Sequence, residues 1–357
     1  MATGRQPQLL ADLVAHKYPI TQEVWENFWE RLAARELEQG EALAVVCSLT
    51  TLTPDGESVG NLLRSLRQRN PQPEPPTQKT VNIVGTGGGP STFNLSTASA
   101  FVAAAMGARV IKTGSRAYAS KTGSIDLLDR LGIKLSGSYE QIDEMLDTFG
   151  MACAGPFVYP KELRLLARNI LPFGMKQMGR FFNLVGPFLG AVPVTTQITG
   201  TSDHSVLPMF RALAGADESR HYLITWNDLG ADELLSICDS QVYDSDRGEE
   251  YTLAPAEIGL AGGDFDELKP VEDLDSTVAH FMALIGGVGP TAAIESIKLN
   301  AAALAINAEV AKDWPEGLQM AGDAMAAGEP GRLIESLRAH GEQSGAPVAS
   351  AKGSGGT

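Results

Sequence analysis

The sequence predicts an α/β protein in which a small helical domain accompanies a larger α/β domain with a central, mostly parallel sheet and crossover helices. Residues 8–69 place apolar side chains at helical spacing and show no strand pattern. From Val81 onward, short apolar runs alternate with helical patterns. This alternation is typical of parallel strands, because each strand needs a crossover connection before the next one can pair with it.

The N-terminal region, residues 1–70, is expected to form the helical domain. The motif PDG at residues 54–56 predicts a turn between two of its helices. Helices within residues 160–190 are expected to complete this domain. Residues 71–80 read PQPEPPTQKT, which is typical of a proline-rich connector between domains.

Residues 81–342 are expected to form the α/β domain. Its strands are predicted at residues 81–84, 109–111, 151–153, 193–199, 221–226 and 236–243. Helical patterns lie between them and continue over residues 275–311 and 315–340. Residues 343–357 are small and polar, and we expect them to be a disordered tail.

Composition and charge exclude several classes of protein. The chain has 357 residues, which is enough for two domains. It contains no apolar run of about 18 residues, so no membrane span is expected. Its three cysteines are far apart and lack metal spacing, as in buried thiols of a cytoplasmic protein. The net charge of −15 argues against a nucleic-acid surface, although it is compatible with a local basic site.

A glycine turn, GTGGG at residues 85–89, follows the first predicted strand. Such a turn either makes a tight strand–helix connection or lets backbone N–H groups approach a phosphate. Its spacing matches neither a dinucleotide fingerprint nor a P-loop. The segment NLST at residues 94–97 then begins an Ala-rich helix, where hydroxyl groups cap the helix or assist anion binding.

A basic segment, KTGSRAYASKTGS, occupies residues 112–124. Lys112, Arg116 and Lys121 stand there among small hydroxyl residues, a combination that suits a group carrying several phosphate charges or else a solvated loop. Asp232 and Glu233 follow the predicted strand at residues 221–226. Carboxylates at the end of a parallel strand are candidates for Mg²⁺, which prefers oxygen ligands.

Taken together, these motifs resemble the anthranilate phosphoribosyltransferase family. The motifs GTGG, NLST, KTGSR…SKTGS and GADE occur in the family's order. The segments FNLVGP at 182–187 and LAPAEIGL at 253–260, and the helical pattern over 300–325, are also similar to the family. The resemblance extends over about residues 8–340.

The resemblance implies a phosphoribosyltransferase that moves phosphoribose from phosphoribosyl pyrophosphate (PRPP) to an acceptor, releases pyrophosphate and requires Mg²⁺. Ser96, Asp232 and Glu233 would be the metal positions, and Lys112 would act with the two carboxylates in catalysis. The implied PRPP-binding residues are Gly85, Gly87, Gly88, Thr92, Asn94, Ser96, Thr97, Lys112, Ser120 and Ser124. Members of the family are usually homodimers, so a homodimer is expected.

The acceptor side departs from the family pattern. The family's GTGGDG reads GTGGGP here, so that Gly89 replaces an Asp, and KHGNR reads KTGSR. The family's His-Pro reads Tyr-Pro at 159–160, and its acceptor-contacting Arg has two candidate counterparts. We therefore expect a small aromatic or heteroaromatic acceptor that differs from anthranilate, or anthranilate held differently. The candidate acceptor-binding residues are Thr113, Ser115, Tyr159, Arg164 and Arg168.

Three different functions also remain open from the sequence. The first is a true anthranilate phosphoribosyltransferase of tryptophan biosynthesis. The second is a nucleoside phosphorylase, which would cleave a nucleoside with phosphate. The third is a non-catalytic homologue that binds nucleic acid or a protein partner. This function remains open because Gly89 replaces the Asp of the family's glycine turn.

Overall fold

A computed structural model of the chain describes residues 7–114, 123–271, 273 and 276–343. Among these residues no helix has the length and apolar character of a transmembrane span. Apart from Gln343, the predicted tail lies outside the described residues. The α-helices in the described residues are α1 (Gln8–Val14), α2 (Gln22–Ala34), α3 (Glu41–Thr51), α4 (Gly56–Arg69), α5 (Leu95–Ala105), α6 (Ser124–Arg130), α7 (Tyr139–Phe149), α8 (Lys161–Asn169), α9 (Met175–Met178), α10 (Arg180–Leu189), α11 (Leu207–Gly215), α12 (Thr277–Ile285), α13 (Thr291–Asn307), α14 (Trp314–Ala326) and α15 (Glu329–Gln343).

Seven strands of the described chain form one sheet in the order β3-β2-β1-β4-β5-β6-β7. Neighbours from β3 to β5 are parallel, whereas β6 and β7 are antiparallel to their neighbours. The prediction of an α/β fold with a mostly parallel sheet is therefore confirmed. The strands are β1 (Thr80–Gly85), β2 (Arg109–Lys112), β3 (Met151–Cys153), β4 (Thr196–Gly200), β5 (His221–Asn227), β6 (Ser240–Asp244) and β7 (Glu249–Leu253).

Two features of the sheet differ from the sequence expectation. The strand predicted over residues 236–243 begins only at Ser240, and β7 was not predicted. The first four residues of β7 are exposed, so the strand lacks the alternation of buried and exposed side chains that reveals a half-buried strand. Its position at the edge of the sheet explains this exposure, because only one neighbouring strand covers it.

The N-terminal helices pack with later segments in one apolar cluster. Trp25, Phe28 and Trp29 of α2 are buried there. Leu166 of α8 and Phe181 of α10 belong to the same cluster. Alternate residues of β5 also face this cluster, whereas the opposite face of the sheet packs against α5 and α12–α15.

The parallel strands bring their carboxyl ends to one edge of the sheet. Segments that are distant in sequence follow β1, β2, β4 and β5 at this edge. Because ligands of α/β proteins bind beyond the carboxyl ends of parallel strands, this edge is the expected location of a site.

Candidate active site

A cleft of about 640 Å³ lies between this edge of the sheet and the helices α8–α10. Its volume is in the range of small-molecule sites in proteins. On the sheet side its lining includes Gly85, Gly87, Gly88, Thr92, Asn94, Ser96, Lys112, Thr113, Ser124, Asp232 and Glu233. On the helical side its lining includes Tyr159, Leu163, Arg164, Met175, Phe182, Asn183, Gly186, Pro187 and Leu189.

The glycine turn after β1 makes room for Asp232. A Cβ atom at Gly85 would lie 2.0 Å from Asp232 Oδ2, and one at Gly200 would lie 1.9 Å from the Asp232 carbonyl oxygen. The Gly87 N–H donates to Asp232 Oδ2 at 2.6 Å, with Gly87 at a φ of +69° that favours glycine. The turn therefore seats the Asp232 carboxylate and binds it through the Gly87 N–H.

Gly89 lies against the loop that carries the carboxylates. A Cβ atom there would lie 2.2 Å from the Gly230 carbonyl oxygen and 3.0 Å from Ser202 Cβ. An aspartate at this position, as in the family pattern GTGGDG, would not fit unless that loop moved. The departure at Gly89 therefore matches the local packing of this chain.

Glu233 receives donors from the start of α5. Thr92 Oγ1 donates to Glu233 Oε2 at 2.5 Å, and the Ser96 backbone N–H donates to Glu233 Oε1 at 3.1 Å. A carboxylate at a helix N-terminus is favourable, because the first-turn N–H groups have no partner within the helix. Both Glu233 oxygens are thus held toward the cleft floor.

The two carboxyl groups, of Asp232 and Glu233, have raised pKa values. Burial raises the pKa of Glu233 to about 7, and the charge of Asp232 adds to this shift. Hydrogen bonds from Thr92 and Ser96 and the charge of Lys112 oppose it. Burial also raises the pKa of Asp232, against the hydrogen bond from the Gly87 N–H. Buried carboxyl groups with raised pKa values that line a cleft are typical of functional sites.

Lys112, the last residue of β2, is only 3% exposed. Its Nζ donates to the carbonyl oxygens of Ile83 at 3.0 Å and of Thr113 at 2.7 Å. Burial lowers the pKa of Lys112 to about 8, and nearby Cys153 and Glu233 oppose that shift. The ammonium group is therefore preorganised at the cleft, with little freedom to reorient.

The helical wall of the cleft is mainly apolar and carries one cation. Tyr159, Leu163 and Phe182 line it, and the exposed Arg164 lies among them on α8. Asn183 also lines the cleft, and its Nδ2 has no hydrogen-bond partner among the described residues. An apolar wall with an arginine and an amide donor that has no partner is chemically compatible with a small aromatic acid.

Of the sequence-predicted site residues that the structure describes, all but Thr97 and Arg168 line this cleft. Thr97 is fully buried within α5 and does not line the cleft. Arg168 is exposed on α8, also away from the cleft lining, whereas Arg164 lines it. Ser115 and Ser120 lie outside the described residues, as do Arg116 and Lys121 of the basic segment.

Two asparagines that support the carboxylate loop were missed by the sequence reasoning. Asn227 Nδ2 donates to the carbonyl oxygens of Ala231 at 3.1 Å and of Glu233 at 3.0 Å. Asn300 of α13 donates to the Leu234 carbonyl oxygen at 2.7 Å and accepts from its N–H. The sequence feature that could have indicated them is a polar residue in an apolar stretch. Asn227 ends such a stretch, and Asn300 lies within one.

The fold and the cleft define a class of transferase. Residues 77–330 match the family described as "Glycosyl transferase family, a/b domain". This range covers the sheet and both sides of the cleft.

The curated relatives specify the family further. The anthranilate phosphoribosyltransferase of Hydrogenovibrio crunogenus is 31% identical over 332 residues, which are 89% of this chain and 94% of that enzyme. The enzyme of the same name from Shouchella clausii is 31% identical over 328 residues, covering 87% and 95%. The chain thus belongs to the anthranilate phosphoribosyltransferase family, as its motifs predict, and it is a phosphoribosyltransferase.

Solved structures agree with this fold. The anthranilate phosphoribosyltransferase of Thermus thermophilus superimposes with a TM-score of 0.78 at 25% identity, covering 94% of this chain and 99% of that one. The Saccharomyces cerevisiae enzyme in complex with PRPP and Mg has a TM-score of 0.78 at 20% identity, covering 94% and 97%. At 20% identity, the match to the Saccharomyces cerevisiae enzyme supports the fold alone.

Proposed function

We propose that this phosphoribosyltransferase uses PRPP with Mg²⁺ and transfers phosphoribose to a small aromatic or heteroaromatic acid through an acceptor pocket that differs from one built for anthranilate. The observation that carries the proposal is the chemical contrast between the two sides of the cleft. The sheet side offers backbone N–H groups, Lys112 and two carboxylates, whereas the helical side offers apolar surface with Arg164. A polyanionic donor suits the first side and a planar acid suits the second.

Mg²⁺ fits the donor set on the sheet side. The carboxylates of Asp232 and Glu233 and the hydroxyls of Thr92 and Ser96 are oxygen ligands, the type that Mg²⁺ prefers. Among the described residues, no three His, Cys, Asp or Glu side chains converge on one point. Two carboxylates together with substrate phosphates are a usual Mg²⁺ environment. When bound, the ion would stabilise negative charge on the pyrophosphate.

The residues of this chain would act mainly by positioning and by charge. As pyrophosphate leaves the anomeric carbon, positive charge develops on the ribose and negative charge on the leaving oxygen. The Lys112 ammonium, which the carbonyl oxygens of Ile83 and Thr113 hold in place at the cleft, would stabilise the negative charge of the leaving group together with the glycine turn. The acceptor nitrogen then attacks the anomeric carbon, and its orientation by the helical wall supplies rate without a protein nucleophile.

On the acceptor side, Thr113 occupies the position where the family pattern has a histidine. Its hydroxyl hydrogen-bonds Asn82 and the Tyr159 side chain rather than standing free in the cleft. A smaller residue here widens the pocket. We propose that Arg164 pairs with the acceptor carboxylate and that the Asn183 amide donates to a second oxygen of the acceptor.

Two structural parts of the proposal concern domains and assembly. We propose that residues 1–70 and α8–α10 form a helical domain that closes on the sheet domain when PRPP binds. We also propose a homodimer through the N-terminal helices, where Val14 is 66% exposed. Small-angle X-ray scattering with and without PRPP, and light scattering for the mass, test these two points.

An acceptor panel tests the function. Pyrophosphate release is measured with PRPP and Mg²⁺ in the presence of anthranilate, 3-hydroxyanthranilate, 4-aminobenzoate, nicotinate or quinolinate. The expected result is PRPP-dependent release that is fastest with an acid other than anthranilate. Efficient turnover of anthranilate alone would overturn the altered pocket and establish a true anthranilate phosphoribosyltransferase of tryptophan biosynthesis.

The same samples test for a nucleoside phosphorylase and for a non-catalytic homologue. Phosphate-dependent release of a free base, without any response to PRPP, would identify a nucleoside phosphorylase. A protein whose melting temperature does not change with PRPP and Mg²⁺ would lack the donor site altogether. DNA retention that weakens with salt would then indicate a nucleic-acid-binding homologue.

Lys112 predicts an alkaline limit to activity. Its pKa of about 8 means that the free enzyme loses this charge as the pH rises through that value. The kcat/KM for PRPP is therefore expected to fall above about pH 8, since this ratio reports groups of the free enzyme. The Lys112→Met variant should no longer show this fall in kcat/KM at alkaline pH (the alkaline limb). Its kcat/KM should be about 10²- to 10³-fold lower than that of the wild type.

The matched control for this measurement is Lys161→Met, at the exposed first residue of α8. That variant should keep both the rate and the alkaline limb. Persistence of the limb in the Lys112→Met variant would assign it to another group.

A further inference from the structure

We infer that Asn82 and Gln197, buried side chains of the sheet beneath the cleft, are positioning residues that set the spacing between the two walls of the acceptor pocket. This inference rests on the proposed function, because it assigns the pocket to the acceptor. Neither residue lines the cleft itself. Each acts through the residues to which it is hydrogen-bonded.

The two side chains form a ladder across neighbouring strands. Asn82 of β1 and Gln197 of β4 are paired in register, and Asn82 Nδ2 donates to Gln197 Oε1 at 3.2 Å. Asn82 Nδ2 also donates to Thr113 Oγ1 at 3.0 Å, and the Thr113 N–H donates to Asn82 Oδ1 at 3.3 Å. At the other end, Arg220 Nη1 donates to Gln197 Oε1 at 2.9 Å. The ladder therefore runs from Arg220, just before β5, to Thr113, just after β2.

A branch of the ladder reaches the opposite wall of the cleft. Gln197 Nε2 donates to the Pro187 carbonyl oxygen at 2.8 Å, and Pro187 lies in the last turn of α10 and lines the cleft. Carbonyl oxygens in the last turn of a helix have no partner within the helix, so they need a donor from elsewhere. Gln197 thus holds the end of α10 to the centre of the sheet.

The residues at the two ends of this hydrogen-bonded chain, Thr113 and Pro187, lie in opposite walls of the proposed acceptor pocket. Thr113 lines the sheet wall and hydrogen-bonds Tyr159, whereas Pro187 lines the helical wall beside Phe182 and Asn183. In addition to this Thr113–Tyr159 contact, Gln197 connects directly to the helical wall and, through Asn82, to the sheet wall. A change at Gln197 therefore alters the spacing of the walls while the donor side, 85–96 and 232–233, keeps its own contacts.

The burial of this ladder makes its hydrogen bonds important. Asn82 and Gln197 are each 1% exposed, and Arg220 is 4% exposed. A buried polar group that loses its partner cannot recover the interaction from water. The ladder therefore holds one arrangement of the walls rather than a range of arrangements.

The test uses variants of the full chain at Gln197. Gln197→Glu keeps the shape and keeps an acceptor for Asn82 and Arg220, but it cannot donate to the Pro187 carbonyl oxygen. Gln197→Met has a similar length, has no hydrogen bonds and introduces no charge, so it decides the question if the glutamate variant does not fold. The control is Ser65→Ala, which removes the buried hydrogen bond from Trp29 Nε1 at 3.0 Å between two residues that do not line the cleft.

Steady-state kinetics are measured for PRPP and for the panel acid that the wild type turns over fastest. Both Gln197 variants are expected to raise the KM for that acid about tenfold or more, because small displacements of a positioned substrate have large effects. The KM for PRPP should stay within about twofold of the wild-type value. Ser65→Ala should leave both constants unchanged and alter only the melting temperature.

Equal increases in both KM values, or unchanged KM values at Gln197, would overturn the positioning role. The activity of the wild type distinguishes failure of the positioning role from failure of the proposed function. A wild type that releases no pyrophosphate with any of the five acids overturns the proposed function and the positioning role together. An active wild type with unaltered Gln197 variants overturns the positioning role alone.

Discussion

Replacement of Glu233 by glutamine is expected to lower kcat/KM for PRPP about a thousandfold, since loss of a charged ligand removes several kcal/mol of electrostatic stabilisation. Glu233 accepts from Thr92 with one oxygen and from the Ser96 N–H with the other. A glutamine has a single acceptor oxygen, so its amide group would face one of these donors. The variant thus loses both the charge that we propose attracts Mg²⁺ and one of the contacts that hold the start of α5 against the carboxylate loop.

The measurement is pyrophosphate release over a range of Mg²⁺ concentrations, with the melting temperature followed in the same titration. Asp228→Asn is the matched control, because Asp228 is an exposed carboxylate in the same loop and does not line the cleft. The control should keep the wild-type rate and Mg²⁺ response within about twofold. An unchanged Mg²⁺ response in Glu233→Gln would show that this carboxylate has no part in metal binding. Removal of Mg²⁺ with a chelator should abolish turnover in the wild type.

The second large effect is expected from Gly85→Ala, in which a single methyl group displaces a carboxylate. A Cβ atom at Gly85 would lie 2.0 Å from Asp232 Oδ2 and 2.6 Å from Asp232 Cγ, much closer than non-bonded atoms approach. Asp232 would have to move away from the Gly87 N–H, which donates to it at 2.6 Å. Because small shifts of catalytic groups have large effects, we expect kcat/KM to fall by about 10²-fold or more.

Gly186→Ala is the control for this steric effect. Gly186 lines the same cleft within α10, but a Cβ atom there meets no other atom within 4 Å. Alanine also favours a helix over glycine, so this variant should be as stable as the wild type or slightly more stable. Comparison of the rates and melting temperatures of the two variants separates the loss of geometry from any general effect of adding a methyl group. Full activity of Gly85→Ala would contradict the close packing of Asp232 on the glycine turn.

Local sequence patterns were informative wherever neighbouring residues decide the structure. The helical spacing within residues 8–69 and the alternation of strands and helices after Val81 were enough for the fold class. The ordered motifs were enough for the family, because each of them is a short contiguous run of residues that can be read from the sequence. The edge strand β7 was missed, since exposed strands lack a periodic apolar signal.

Other properties depend on contacts between segments that lie far apart in the chain. The need for glycine at positions 85 and 89 comes from Asp232 and Gly230, more than 140 residues away, and no local pattern contains that information. The choice between Arg164 and Arg168 as the cleft-facing residue likewise required the orientation of α8. The link from Asn82 through Gln197 to Pro187 depends on the pairing of β1 with β4 and on the packing of α10.

The phosphate-type turn, the carboxylate pair and the family of this transferase were therefore accessible from the order of its residues. The hydrogen bonds of these groups, the partners of Lys112 and the walls of the proposed acceptor pocket were not accessible in this way. The physical reason is that a parallel sheet gathers the ends of non-consecutive strands, so that the site is assembled from segments whose proximity is fixed by strand order and helix packing.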